Sequence, residues 1–249
     1  MSVLRSADLI EPQWPAPPGV RAAFTLRTGG VSAAPYDSFN CAAHVGDDAA
    51  AVTENRRRLC ERLALPQPPA WLEQVHGTRV AVLRGAPEPL APADAAVTRA
   101  AGCVCVVQVA DCLPVLFASR DGAAVGAAHA GWRGLAAGVL EAAVRSLEAD
   151  PGEVLAWLGP AIGPEAFEVG SEVRAAFLQE GPAAAAAFTP NARGRWQCDL
   201  ITLARQRLAA LGVRQVYGGS WCTYADSARF FSYRRDGRCG RMAGLIWRS

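Results

Sequence analysis

Three apolar segments that follow one another between residues 103 and 130 constrain the fold of this chain most strongly. They read CVCVVQVA, LPVLFAS and AAVGAAHA, and Asp121-Gly122 separates the last two. Apolar runs rich in β-branched residues are typical of buried strands, and Asp-Gly is a common hairpin turn. We therefore predict three successive strands, of which the last two form a hairpin.

The rest of the chain alternates further strand and helix patterns. Strands are predicted at Val20–Leu26, 153–158 and 213–218, in the C-terminal segment ending in LIW, and as a pair, Ala70–Val75 and Arg79–Leu83, around His76. Helices are predicted over 48–64, Leu135–Glu148, 170–180 and 200–211, where apolar residues recur at helical spacing. The alanine run Ala183–Ala187 fits either a loop or a helix end. Alternation of this kind predicts an α+β fold, in which mixed β-sheets are covered by helices, and we expect residues 1–249 to form one domain.

The basic residues are unusual in kind but not in number. All 25 of them are arginine, and the formal net charge is only +2. Without lysine, Schiff-base catalysis and a phosphate-loop lysine are excluded, so an anion must be held by arginine, backbone N–H groups or a metal. The balanced charge does not favour a nucleic-acid partner.

The sequence predicts a cytoplasmic protein without a membrane span. Its N-terminal segment meets acid and proline before an apolar signal region could develop, and no apolar stretch is long enough to cross a bilayer. The eight cysteines are expected to remain reduced thiols, and none of them forms a C-x-x-C pair.

Two of the three histidines and one cysteine occur where predicted strands end or turn. His76 lies in EQVHGT, Cys112 in ADCLP and His129 in AHAGWRG. These residues could be unrelated, as one core thiol and two hydrogen-bonded loop imidazoles, and their spacing alone does not decide. If they converge, a His₂Cys set would hold zinc and leave the fourth position open for water or substrate.

Five motifs in order resemble the YfiH-type purine nucleoside phosphorylase family, whose members are also labelled laccase-domain, polyphenol oxidase or peptidoglycan editing factor proteins. The motifs are EQVHGTRV, ADCLPVLF, AAHAGWRGLAAGVLE, AWLGPAIGP.AFEVG and FFSYRRDG..GRMA, and the similarity extends from Thr25 to Trp247. The resemblance implies a four-layer αββα sandwich and zinc, or copper in its place, bound by His76, Cys112 and His129. The chain departs from the family pattern in SFNCAAHVG and at Cys239, which affects expectations about substrate preference and not about the metal.

The resemblance also implies cleavage of purine nucleosides with phosphate and deamination of adenosine. Catalytic roles then fall to the three metal ligands, with Asp111 or Glu73 as the proton-transfer group, although an acid beside Cys112 could equally orient the loop. Arg27 and Arg133 are candidates for binding substrate phosphate, because Arg133 precedes a helix whose free N–H groups favour anions.

Three rival functions remain open at this stage. A multicopper oxidase needs many more imidazoles than the three available, although a single copper with Met242 as a weak axial ligand fits the count. Cys112 with His129 as its base could hydrolyse an amide in a mis-made peptidoglycan precursor. A zinc-stabilised binding module is the non-enzymatic alternative. The sequence predicts neither the oligomeric state nor the preferred nucleoside.

Overall fold

The computed structural model describes residues 9–85 and 91–249, which contain thirteen strands and six α-helices. The strands are β1 (Leu9–Ile10), β2 (Val20–Thr25), β3 (Val80–Leu83), β4 (Ala95–Thr98), β5 (Val104–Val109), β6 (Leu113–Ser119), β7 (Val125–Ala130), β8 (Val154–Leu158), β9 (Glu168–Val169), β10 (Phe188–Pro190), β11 (Trp196–Cys198), β12 (Gln215–Gly218) and β13 (Met242–Arg248). The helices are α1 (Ala49–Leu63), α2 (Trp132–Ala137), α3 (Val139–Ser146), α4 (Ser171–Leu178), α5 (Leu200–Ala210) and α6 (Tyr233–Asp236). In these described ranges, no helix has both the length and the apolar character needed to cross a membrane.

The strands form three sheets. A mixed six-stranded sheet has the order β12-β8-β6-β7-β4-β3, and an antiparallel four-stranded sheet has the order β1-β2-β13-β5. A small antiparallel sheet, β10-β11-β9, lies outside these two.

The two large sheets pack face to face, and helices cover their outer faces. Alternate residues of β6 point to opposite sides. Phe117 belongs to the buried cluster that contains the helix residues Leu140 and Leu203, whereas Leu116 belongs to the cluster that contains Ile246 of the other large sheet. On the far side of that second sheet, α1 contributes Leu59 and Leu63 to a third cluster. Burial on both faces explains why β5, β6 and β7 are apolar along most of their length. The predicted α+β fold of mixed sheets covered by helices is confirmed.

The predicted strand Ala70–Val75 is wrong. Only Ala70 makes an isolated bridge, to Cys105, and the chain then runs irregularly to the turn at His76. Side-chain hydrogen bonds take the place of backbone pairing between strands here, because Gln74 exchanges hydrogen bonds with the backbone of Gln108. Strand β3 pairs in parallel with β4, a strand that the sequence analysis missed because it follows a segment dominated by proline and alanine.

The predicted helix Leu135–Glu148 is interrupted. Gly138 has φ +99° and separates α2 from α3, a backbone conformation that glycine adopts without a steric penalty. The alanine run forms a 3-10 helix, Pro182–Ala187. The other predicted helices and strands are confirmed with ends that shift by a few residues.

Candidate metal centre

His76, Cys112 and His129 converge at one end of the six-stranded sheet. Cys112 occupies the bend between β5 and β6, and His129 lies in β7 opposite Pro114. His76 comes from the loop that precedes β3. The ligand atoms of the three residues all lie within 4.8 Å of one another, and 3.8 Å separates Cys112 Sγ from His76 Nε2.

The centre is closed on one side and open on the other. His129 is buried at 4% exposure, Cys112 is half-buried, and His76 is exposed. The two imidazole rings meet edge to face, with centroids 4.8 Å apart. A ligand must therefore approach from the side of His76, because the sheet blocks the side of His129.

Asp94, which the sequence analysis did not single out, organises the centre. Its Oδ1 lies 2.8 Å from His129 Nδ1 and accepts from the backbone N–H of His76 at 2.8 Å. Its Oδ2 accepts from the N–H groups of Gly77 at 2.6 Å and Val75 at 3.2 Å. A carboxylate only accepts hydrogen bonds, so His129 carries its proton on Nδ1 and presents Nε2 to the centre. Carboxylates commonly orient metal-binding histidines in this way.

Asp94 is fully buried, and its environment keeps it ionised. Burial raises the pKa of the carboxyl, but the hydrogen bonds from His129, Gly77 and Val75 lower it more, and the net direction is downward. The one sequence cue to Asp94 is an acid directly before a short apolar strand. Its partners lie 18 and 35 residues away, and no local pattern joins them.

The backbone around the centre adopts conformations that are uncommon outside glycine. His76 has φ +61° and Asp111 has φ +90°, conformations that persist only where the surroundings enforce them. Gly131 leaves space for the ligands, since a Cβ there would lie 2.9 Å from both Cys112 Sγ and His76 Cδ2. The AHAGWRG motif therefore supplies one ligand and also the gap into which the other two fit.

The charges of Cys112 and His129 are coupled. Burial raises the pKa of the Cys112 thiol, but the imidazoles of His129 and His76 lower it more, to about 6 from 9.0. Burial lowers the pKa of His129, whereas Cys112 and Asp94 raise it to about 9 from 6.5. Each group therefore favours the charged form of the other, the thiolate of Cys112 and the imidazolium of His129.

The candidate proton-transfer acids differ in their surroundings. Asp111 is 9% exposed, and both of its oxygens accept hydrogen bonds, from Thr223 Oγ1 at 2.6 Å and from the N–H of Arg234 at 2.7 Å. These bonds tie the bend that carries Cys112 to the segment 223–234. Glu73 is exposed, on the chain that leads to His76.

The candidate arginines are not equivalent either. The Arg27 guanidinium donates to the carbonyl oxygens of Asp37 and Ser227, at 3.1 Å each, and lies 4.8 Å from the ring centroid of Phe231. Arg133 is exposed and stacks on its neighbour Trp132 at 4.5 Å. Arg27 thus joins loops, whereas Arg133 presents its charge to solvent at the start of α2. Their predicted binding of phosphate stays a prediction.

Met242, the possible axial ligand of a copper, is fully buried between the two sheets. Its sulfur accepts a hydrogen bond of 3.1 Å from the N–H of Phe231. That contact gives the thioether a structural partner.

An α+β fold that gathers two imidazoles and a thiol at the end of a sheet, with one side open, defines a protein with a candidate mononuclear His₂Cys metal centre. The chain belongs to the YfiH family: the family model described as multi-copper polyphenol oxidoreductase laccase matches residues 21–249.

Relatives and solved structures agree with this assignment over nearly the full chain. Purine nucleoside phosphorylase PA4543 of Pseudomonas aeruginosa is 56% identical, over 96% of this chain and 97% of its own length. Purine nucleoside phosphorylase YfiH of Escherichia coli is 55% identical, over 97% and 99% respectively. The crystal structure of Neisseria meningitidis protein NMB0706 superposes with a TM-score of 0.91 at 46% identity, covering 97% of this chain and 99% of that one. That of YlmD from Geobacillus stearothermophilus gives 0.87 at 32% identity, covering 98% and 97%.

Proposed function

We propose that this chain is a zinc-dependent enzyme of purine nucleoside processing. It splits adenosine, inosine, guanosine and methylthioadenosine with phosphate into free base and pentose 1-phosphate, and it deaminates adenosine. The observation that carries the proposal is the open His76–Cys112–His129 set in a chain more than half identical to relatives named purine nucleoside phosphorylases.

The three side chains fit a zinc ion in chemistry and in spacing. Tetrahedral zinc with bonds of about 2.0–2.3 Å to nitrogen and sulfur places its ligand atoms roughly 3.3–3.6 Å apart. The 3.8 Å between Cys112 Sγ and His76 Nε2 is close to that separation, and all three ligand atoms lie within 4.8 Å of one another. Because Asp94 holds Nδ1 of His129, its Nε2 is the atom that faces Cys112. A bound zinc would supply Lewis acidity at the open position and lower the pKa of a water there to about 7.

The protein's own groups bind, orient and exclude water around the reacting atoms. Asp94 fixes the ring of His129 and the loop of His76 together, and the sheet excludes solvent behind them. Asp111 acts as a positioning residue, because both of its oxygens are engaged in holding the bend that carries Cys112. Glu73, exposed beside the His76 turn, is then the carboxylate that moves protons.

The reactions balance without an added oxidant. In phosphorolysis the bond from C1′ to the purine nitrogen breaks, a phosphate oxygen bonds to C1′, and the proton of hydrogenphosphate ends on the base. In deamination water adds at C6 of adenine and ammonia leaves. Both require a carbon–nitrogen bond to be polarised at a site that binds an electron-rich base.

The test is to give the metal-loaded, full-length protein inosine, adenosine and methylthioadenosine, with and without phosphate, and to identify the products by chromatography. We expect base release that depends on phosphate and ammonia release from adenosine that does not. If none of the three nucleosides yields free base and adenosine yields no ammonia, the proposal is wrong. A Glu73→Gln variant should lower turnover without lowering metal content.

A second candidate is amide hydrolysis with Cys112 as nucleophile and His129 as base, on a peptidoglycan precursor. It is favoured by the lowered pKa of the Cys112 thiol and the raised pKa of the His129 imidazole beside it, the state that activates such nucleophiles. Metal content separates the two functions, because a thiolate bound to zinc is a poor free nucleophile. Chelator should abolish nucleoside turnover and should activate amide hydrolysis.

Copper-dependent polyphenol oxidation is the weakest of the three. The family description names several coppers, but the chain has three histidines in all, too few for a trinuclear cluster with a separate copper. A mononuclear copper enzyme would need electron and oxygen chemistry that a nucleoside assay does not detect. Oxygen uptake with a phenolic substrate on the copper-loaded protein tests it directly.

A further inference from the structure

The loop that follows Asn40 is clamped by three separate parts of the fold. The carbonyl of Cys41 accepts from Arg56 Nε of α1 at 2.9 Å and from Gln108 Nε2 of β5 at 2.7 Å. The N–H of Cys41 donates to the carbonyl of Arg241 at 3.2 Å, and the Oδ1 of Asn40 accepts from the N–H of Arg241 at 2.9 Å. The loop therefore has a fixed position relative to helix α1, strand β5 and the start of β13.

This clamp borders the metal centre. Gln74 and Gln108 exchange two hydrogen bonds, at 2.9 and 2.7 Å, and they precede His76 by two residues and Cys112 by four. His44, three residues beyond Cys41, is exposed. Burial lowers the pKa of its imidazole, and so do the nearby charges of Arg241, Arg56 and His129.

Two arginines at this loop keep hydrogen-bond donors available. Arg56 stacks at 4.0 Å on Trp71 and uses Nε for Cys41. Arg241 uses Nη1 for the carbonyls of Cys239 and Gly240. In the described part of the chain, neither arginine pairs with a carboxylate, and the two Nη atoms of Arg56 and Nη2 of Arg241 have no acceptor.

The two arginines that follow Arg56 on helix α1 do pair with carboxylates. Arg57 forms ion pairs with Glu54 and Glu61, and Arg58 pairs with Glu54 at 2.8 Å. The chain thus neutralises the other two arginines of the run and leaves Arg56 uncompensated within the residues described. Arg56 and Arg241 both hydrogen-bond to Cys41, which places them at the same loop. Uncompensated guanidinium groups attract an anion and bind its oxygens with charge-assisted hydrogen bonds.

We propose that His44, Arg56 and Arg241 form the site that holds inorganic phosphate beside the metal centre. The proposal rests on the proposed phosphorolysis, in which phosphate is the second substrate, and it assigns the residues that bind this phosphate. The two guanidinium groups bind the phosphate oxygens, and the imidazole of His44 donates a further N–H. Phosphate so held lies at the edge of the centre, where the nucleoside would present C1′.

The experiment compares phosphate binding by variants of the metal-loaded, full-length protein, measured by calorimetry with inorganic phosphate alone. Arg56→Gln and Arg241→Gln should each raise the Kd at least about tenfold, since a charge-assisted hydrogen bond is lost. Arg57→Gln removes the same charge from the adjacent position of α1 and should change the Kd less than about twofold, because its exposed ion pairs contribute little.

A second variant guards against misfolding. If Arg56→Gln disturbs the loop by losing its bond to Cys41, His44→Gln tests the same site at an exposed side chain with no such anchor, and should raise the Kd about threefold. Adenosine 5′-monophosphate in place of phosphate distinguishes a site for the free ion from one for a nucleotide phosphate. Tighter binding of the nucleotide, weakened by the same variants, would overturn the assignment to free phosphate.

Turnover separates this proposal from the proposed function. Where wild-type protein releases base, the variants should raise the KM for phosphate and leave the KM for nucleoside within about twofold. Phosphorolysis with an unchanged KM for phosphate in all three variants would overturn the site and leave the function intact. Binding of phosphate that the variants weaken, without any base release by wild-type protein, would overturn the function and leave the site intact.

Discussion

The two halves of the metal centre are built in different ways. Cys112 and His129 belong to a strand-borne half: both lie at the ends of β5, β6 and β7, and residue pairing across β6 and β7 places His129 opposite Pro114. His76 belongs to a loop-borne half, held by Asp94 through three backbone N–H groups and by a left-handed backbone at His76 itself. The sheet positions the first half, with Asp111 holding the bend at Cys112. Side-chain hydrogen bonds of Asp94 and Gln74 position the second half.

This difference implies that the strand-borne half persists without a metal, whereas the loop-borne half depends on the metal and on Asp94. Sheet residues such as His129 share many backbone hydrogen bonds and buried contacts, and Cys112 lies in a short bend between two such strands. A loop held by the hydrogen bonds of two side chains, Asp94 and Gln74, lies at the low-stability end of the fold. Substitutions in the loop-borne half should therefore change metal binding and local order together. Substitutions of a ligand in the strand-borne half should change metal binding and leave the local order of the sheet intact.

Replacing a ligand should have the largest effect. Cys112→Ala removes the one sulfur donor of the strand-borne half, and we expect metal content to fall below about a tenth of one equivalent because two imidazoles alone bind zinc weakly. Elemental analysis measures this, and circular dichroism should show the fold retained, since the sheet does not depend on the thiol. Cys60→Ala, a half-buried cysteine of α1, should keep full metal content. Global unfolding of the Cys112 variant would mean that the metal is structural.

The next largest effect is expected where the two halves touch. A methyl group at Gly131 would lie 2.9 Å from Cys112 Sγ and from His76 Cδ2, so Gly131→Ala should push the ligands apart and weaken metal binding by about a hundredfold, in line with the sensitivity of metal sites to their supporting groups. Gly77→Ala is the matched control in the loop-borne half, because its Cβ would meet Asp94 Oδ2 at an ordinary 3.5 Å. Competition with a chromogenic chelator measures both affinities. Equal affinities would show that the gap at Gly131 is not needed.

Asp94→Asn should have a smaller effect, about 10- to 100-fold on metal affinity. The amide keeps the shape but loses the charge, and it replaces one acceptor oxygen with a donor that faces N–H groups. The loop-borne half should also exchange its amide hydrogens faster at residues 75–77, which mass spectrometry can measure. Asp121→Asn provides the control, because Asp121 likewise accepts from a side chain and a backbone N–H, those of Ser119 and Ala123, but in a distant turn. If both variants bind metal equally well, Asp94 does not organise the centre.

How far the sequence predicts the structure follows the same division. The strands that carry Cys112 and His129 were predictable because burial on both faces leaves a long apolar pattern. The loop-borne half was not predictable. Ala70–Val75 was predicted to be a strand, although side-chain hydrogen bonds of Gln74 hold it, and the position of Asp94 before a short apolar strand does not indicate its partners. The convergence of the three ligands was predicted from the family resemblance alone. The spacing of His76 and Cys112 in the sequence does not indicate that the chain between them folds back to bring the two side chains together.

Metal removal should produce the smallest and most local change, and it tests the comparison directly. After chelation, residues 75–77 should exchange their amide hydrogens about tenfold faster, because the imidazole of His76 no longer ties the loop to the sheet and only the hydrogen bonds of Asp94 and Gln74 remain. Residues 126–130 of β7 should keep their protection, because β6 and β4 bond that strand on both sides. Exchange that accelerates equally in both segments would show that the metal holds the sheet as well as the loop. In that case the His129 side would be no more preformed than the His76 side, and the division of the centre into two unlike halves would be wrong.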